Sequence, residues 1–149
     1  MKVDIIQANE DHRHTINRLI RETKIGPQFR KGRLPWHTWV AKVGDKAVGF
    51  QVLVFWKNTV AILEGGAVNR ELRHQGIGSL LMQRAVDEAK KKGATIVALA
   101  TMYYWFRFCK KRGFRTCPRK NLPPIVASYP QFRHPRYMKC AVMVQFIKT

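Results

Sequence analysis

The residues best placed to do chemistry are Arg73-His74-Gln75-Gly76-Ile77-Gly78, between an apolar run ending at Val68 and an amphipathic run opening at Ile77. Two glycines at the head of a helix leave backbone N–H groups open to close approach. The helix macrodipole favours a negative charge at that end. Arg73 and His74 stand beside the turn and add to the preference. The chemistry implied is capture of a phosphate-like anion. Gly-x-Gly alone is also an ordinary tight turn before a helix. Two other phosphate patterns are missing: there is no G-x-x-x-x-G-K-S/T, and Gly76–Gly78 lacks the third glycine of the dinucleotide fingerprint.

The charge of the chain points to anions as well. Its 149 residues carry 28 Lys and Arg against 9 Asp and Glu, a net +19 with histidine neutral. Residues 1–88 hold all nine acids and 14 of the cations, whereas 89–149 hold the other 14 and no carboxylate side chain. Such a distribution attracts phosphate, carboxylate, nucleic acid or anionic lipid, and it disfavours a polycationic partner.

The elements that must position the turn follow from pattern. Val3–Ala8 reads as a first strand, and Asp11 as the cap of a helix through Lys24 with Ile16, Leu19, Ile20 and Thr23 on one face. Gly26–Pro35 is a basic loop or broken helix. Trp36–Val43 and Ala47–Trp56 flank a Gly44-Asp45-Lys46 hairpin, and Thr59–Val68 is a further strand. Ile77–Lys92 is an amphipathic helix with Ile77, Leu80, Leu81, Val86 and Ala89 apolar, stopped by Gly93. Thr95–Thr101 is a strand and Tyr103–Arg112 a helix, within which Trp105 and Phe106 read as core. After a proline-rich excursion, Lys139–Ile147 gives the last strand. The order implies a mixed α/β sheet in one domain over 1–149, with no repeat or linker to divide it.

Composition sets further expectations. Cys109, Cys117 and Cys140 make no CxxC pair, and His12 and His14 do not share a helix face, so no metal is expected. Scattered cysteines suit a reduced cytoplasm. Met1–Ile6 lacks the apolar core of a signal peptide, and no window approaches the ~20 apolar residues of a spanning helix, so no membrane association is expected. The expected state is a monomer or homodimer.

Taken with its spacing, the glycine turn resembles the GNAT superfamily of acyl-CoA-dependent N-acetyltransferases. Arg73–Gly78 matches the pyrophosphate motif Arg/Gln-x-x-Gly-x-Gly/Ala, and the strand ending at Ala67-Val68 lies five residues before Arg73, as in that family. Leu80, Leu81, Ala85 and Ala89 continue the motif's helix. Lys110-Lys111-Arg112-Gly113-Phe114 is similar to the family's second signature, and the hairpin Val40–Gly49 fits too. The likeness spans Val3–Phe114 and the final strand. It implies a central mixed sheet of six to seven strands, about four flanking helices and a V-shaped splay between the central strands.

The resemblance also implies a site. Acetyl-CoA is the acyl donor. Backbone groups at Ala67 and Val68 would bond its pantetheine arm, the N–H groups of Gln75, Gly76, Ile77, Gly78 and Ser79 its pyrophosphate, and Arg73 and His74 would add charge. An attacking amine must first lose a proton. Glu64 is the carboxylate of its strand, on the same face as Gly66 and Val68, and is either that base or a surface or ion-paired side chain. The family often has a glutamate two residues earlier, where this chain has Ile62. The leaving thiolate usually takes a proton from a tyrosine four residues before the signature glycine, and here that position is Cys109. Cys109 is either the proton donor or a small packing residue. Tyr103 and Tyr104 are the alternative donors, or packing residues. A covalent acyl-cysteine route lacks a histidine at a telling spacing.

Three acceptor readings stay open. The tail Leu122–Phe132 with Lys139–Met143 resembles GNAT members acting on free amino acids, which implies a small carboxylate-bearing amine bordered by loop cations such as Arg30, Lys31, Arg33, Arg115, Arg119, Arg133 and Arg136. Arg30 and Arg33 are the named substrate-binding candidates. The cation excess alternatively suits RNA, with an aminoacyl-tRNA or an RNA-bound protein amine as acceptor. The missing tyrosine leaves room for a non-catalytic acetyl-CoA-binding regulator.

Overall fold

The computed structural model describes residues 1–23 and 37–147. The strands join in one seven-stranded sheet of order β1-β2-β3-β4-β5-β7-β6. The chain divides into two compact units, Met1–Val54 with Gly65–Asp87 and Phe55–Glu64 with Glu88–Thr149. Among the described residues no helix is long and apolar enough to cross a membrane.

In the first unit, β1 (Val3–Gln7) runs antiparallel to β2 (His37–Val43), and β2 antiparallel to β3 (Lys46–Trp56). Gly44, at φ +62°, turns the hairpin. Helix α1 (Arg13–Thr23) is entered through a 3-10 turn capped by Asn9 rather than by Asp11. The Asn9 side chain accepts from Asp11 N–H at 2.9 Å, and His12 Nδ1 accepts from Asn9 N–H at 3.0 Å. Asp11 lies inside the turn, where its charge still suits the helix start. The apolar face of α1 closes the core: Ile16, Leu19 and Ile20 pack with Val40, Phe50 and Val52. Thr23 turns its hydroxyl back to Leu19 O at 2.7 Å.

Strand β4 (Val60–Val68) begins in the second unit and ends in the first. Its registered parallel pairing with β5 (Ile96–Thr101) joins Val60–Ile62 to Ile96–Ala98, although β4 runs on to Val68. At Gly65 the β4 carbonyl accepts from Gln51 Nε2 at 2.9 Å. Gln51 is a polar side chain buried in β3, and this bond is what makes its burial tolerable. The amide lies against Gly66: a Cβ there would stand 2.5 Å from Gln51 Oε1 and 3.0 Å from Phe50 O. Helix α2 (Ile77–Lys91) buries Ile77, Leu81, Met82, Ala85 and Val86, but Leu80, expected on that face, is 48% exposed.

The second unit departs more from expectation. The region after β5 opens as a 3-10 turn, Tyr103–Trp105, before helix α3 (Phe106–Lys111). Trp105 is exposed, not core, and Phe106 is half-buried. The proline-rich excursion holds an unforeseen edge strand β6 (Arg115–Cys117), helix α4 (Pro124–Ala127) and helix α5 (Pro130–Arg133). Both helices start on the prolines, which lose no helical hydrogen bond there. Strand β7 (Ala141–Phe146) pairs antiparallel with β5 and β6. Arg119 organises the excursion: its guanidinium donates to Phe132 O, to Tyr137 O at 2.7 Å and to Cys140 O at 3.0 Å.

Gly66→Ala therefore forces Gln51 out of its place. It is expected to cost about 1–3 kcal/mol, a fall in Tm of roughly 2–10 °C for a chain of this size, read by thermal unfolding.

Candidate functional site

The glycine turn lies wholly in the first unit. After β4, Asn69 starts a short 3-10 turn over Arg70–Leu72 by accepting from Glu71 N–H at 3.1 Å. Arg73 is extended, and its Nε donates to Val68 O at 3.4 Å, tying the turn back to the strand. His74 (φ +67°) and Gly76 (φ +84°) then take left-handed conformations. For histidine that backbone is uncommon, and for glycine it is unstrained. The first bond of α2 runs from Leu80 N–H to Gly76 O at 3.1 Å, so the amides before Leu80 lie ahead of the helical ladder. No acidic residue occupies the first turn of α2, and no atom lies within 4 Å of where a Gly76 Cβ would stand. Ile77 anchors the helix, only 1% exposed. Ala67 packs against the first-unit core. The turn from Arg73 to Gly78 thus brings one arginine, two left-handed residues and open space over Gly76 to the head of α2.

The carboxylate site lies in the second unit. Glu64 is half-buried, and the Tyr129 hydroxyl donates a hydrogen bond to Glu64 Oε2. Gln131 Nε2 donates to the main-chain oxygen of the same residue at 3.1 Å. Tyr129 is 6% exposed, its ring edge-on to Trp56 at 5.3 Å and Phe132 at 5.5 Å. Trp56 Nε1 in turn donates to Ser128 Oγ at 3.0 Å. Burial, and then the bond to Glu64, raise the Tyr129 pKa well above that of an ordinary phenol, so the hydroxyl stays a donor. Neither Tyr129 nor Gln131 was foreseen as a partner of Glu64. Both lie some 65 residues on in the chain, beyond the reach of any local pattern.

The three proton-donor candidates occupy unlike surroundings. Cys109 is 3% exposed in α3, and burial pushes its thiol up to about 11, partly offset by Arg112. Tyr103 and Tyr104, on the preceding turn, are 74% and 63% exposed. Among the loop cations, Arg119 is committed to three carbonyls, and it borders a cavity of about 260 Å³ with Leu122, Ala127, Phe132, Arg133 and Met138. Arg30, Lys31 and Arg33 lie outside the described residues.

Residues 8–114 match the family model for the acetyltransferase (GNAT) family. The chain belongs to the GNAT acetyltransferases. It is accordingly an acyl-CoA N-acyltransferase by family. A comparison with curated protein sequences gives no match. Among solved structures, N-acetylglutamate synthase from Neisseria gonorrhoeae, complexed with coenzyme A and N-acetyl-glutamate, is similar with a TM-score of 0.77 and 17% identity. All of this GNAT chain aligns there, spanning 36% of the synthase. Rv2747 from Mycobacterium tuberculosis, in complex with CoA, gives a TM-score of 0.79 at 17% identity, covering 97% of this chain and 99% of that one. Arabidopsis thaliana Naa50, with the bisubstrate analogue CoA-Ac-MVNAL, gives 0.70 at 16%, covering 99% and 100%. These likenesses establish the GNAT fold.

The thiol environments order the cysteines. Cys109, 3% exposed with its thiol raised, should resist maleimide at pH 8 in the folded protein and label only on addition of denaturant, while the partly exposed Cys117 and Cys140 label without it. Peptide mass spectrometry after timed alkylation reads this directly.

Proposed function

We propose that this chain transfers the acetyl group of acetyl-CoA to the primary amine of a small carboxylate-bearing acceptor, with Glu64 as the base. The observation that carries the proposal is the Tyr129–Glu64 hydrogen bond. A buried phenol held as a donor occupies one carboxylate oxygen and leaves the other to take a proton from the ammonium. Gln131 fixes the main chain beneath it. Tyr129 and Gln131 act as positioning residues.

The turn fits the coenzyme: the open helix mouth and the space over Gly76 suit a pyrophosphate, and Gln75–Ser79 would hold it through N–H groups with Arg73 and His74 adding charge. Ala67 and Val68 would meet the pantetheine arm. When bound, acetyl-CoA supplies the thioester carbonyl that the amine attacks. The chain's own part is to deprotonate and orient that amine.

In this reading no side chain is dedicated to protonating the departing sulfur. A thiol raised to about 11 is a weaker acid than the ordinary thiol it would serve, so Cys109 is assigned to packing. Water protonates the thiolate, and Tyr103 and Tyr104 are not required. The acceptor class rests on two supports. Residues 89–149 carry cations and no carboxylate, and the similar Neisseria synthase was solved with N-acetyl-glutamate. The Naa50 likeness makes a peptide N-terminus the second acceptor to assay.

Free-thiol release with a panel of amino acids and short peptides tests the whole reading; a turnover-free protein would be a coenzyme-binding regulator instead. Glu64→Gln is expected to lower kcat about 100-fold or more and to change its pH profile. Tyr129→Phe should lower kcat about tenfold with KM for acetyl-CoA unchanged. An unaltered rate in both variants would exclude Glu64 as base. Gly76→Ala should act oppositely, raising KM for acetyl-CoA about tenfold through the roughly 1–2 kcal/mol cost of its left-handed backbone.

A further inference from the structure

Three aromatic residues that follow β5, Tyr103, Tyr104 and Trp105, are turned outward. Tyr103 and Tyr104 meet edge to face at 5.4 Å between ring centroids, Tyr104 and Trp105 lie at 6.0 Å, and Trp105 and Phe108 at 6.0 Å. Arg112 ends the row, its guanidinium 3.7 Å above the Phe108 ring. Tyr103, Tyr104 and Trp105 are 74%, 63% and 40% exposed. An apolar row this exposed costs solvation, since Tyr and Trp normally bury most of their rings. The surrounding side chains are cationic. Arg107, Lys110 and Lys111 are exposed on the same short helix, and no carboxylate occurs anywhere in 89–149.

We propose that the Tyr103–Phe108 aromatic row and its flanking cations form a binding face for single-stranded nucleic acid, RNA in the cell. The rings pack against one another, so it is their exposed outer faces, on Tyr103, Tyr104 and Trp105, that can stack with splayed bases without reading their sequence, while Arg107, Lys110 and Lys111 neutralise the backbone. An acidic protein would be served by the cations alone and would leave the rings without a role. The proposal does not rest on the role given to Glu64, so its test stands apart from that one.

The probe is a fluorescein-labelled 12-nucleotide oligouridylate, titrated by anisotropy into the full chain between 50 and 300 mM salt, with acetyl-CoA present and absent. Saturable binding is expected, with a log–log salt slope of about −2. Tyr103→Ala with Tyr104→Ala should weaken it roughly tenfold or more, and so should Trp105→Ala. Tyr103→Phe with Tyr104→Phe keeps the rings and should retain wild-type affinity. Lys110→Gln with Lys111→Gln should flatten the salt slope. Because these side chains are exposed, folding of each variant can be confirmed by its melting curve. Absence of binding at 50 mM salt would overturn the proposal. So would equal affinity for a polyglutamate of the same charge, alanine variants that bind like wild type, or displacement of the oligonucleotide by acetyl-CoA, which would give the rings to the coenzyme.

Discussion

The backbone of β4 around Glu64 and Gly65 is the constraint on which the rest depends. Registered pairing with β5 reaches only Ile62 and Ala98, and two successive carbonyls beyond it accept from side-chain amides. Gln51 takes Gly65 O and Gln131 takes Glu64 O. Buried backbone groups must be paired, so a strand that runs past its neighbour needs such substitutes. The arrangement is also why Gly66 has no side chain, because Gln51 already fills the space.

From that strand two kinds of chemistry follow. Glu64 is gripped by groups from the proline-rich tail: Tyr129 donates to its carboxylate and Gln131 to its main-chain oxygen. Val68 holds Arg73, whose bond starts the turn where His74 and Gly76 go left-handed and α2 begins. The excess of positive charge divides along the same lines. A few cations belong to the turn, Arg119 is consumed in binding three carbonyls of its own tail, and a remainder surrounds the exposed rings of the β5–α3 connection.

Much of the fold was legible because its signals are local. The hairpin at Gly44, the amphipathic α2 and the glycine turn each occupy a short window with a definite period or turn residue, and all stand where the pattern put them. The misreadings have physical causes. Asp11 looks like a cap, but Asn9 is placed two residues earlier and its side-chain oxygen reaches forward to the Asp11 N–H. Leu80 continues an apolar period, yet the buried stripe of α2 is satisfied by Ile77, Leu81 and Ala85. Trp105 is a core residue by composition, and only its place on a tight 3-10 turn turns it outward. The three-residue β6 and the two four-residue helices are too short to leave a period at all.

By itself the sequence determined the family, the glycine turn and the candidacy of Glu64, because each is carried by residue types at fixed short spacings. The tertiary structure decided what surrounds them. That Tyr129 and Gln131 hold Glu64, that Cys109 is enclosed, and that the aromatic row faces water all depend on contacts between segments far apart in sequence or on which face of a short turn meets the sheet. Periodicity encodes the face an element buries, not the partner that comes to meet it.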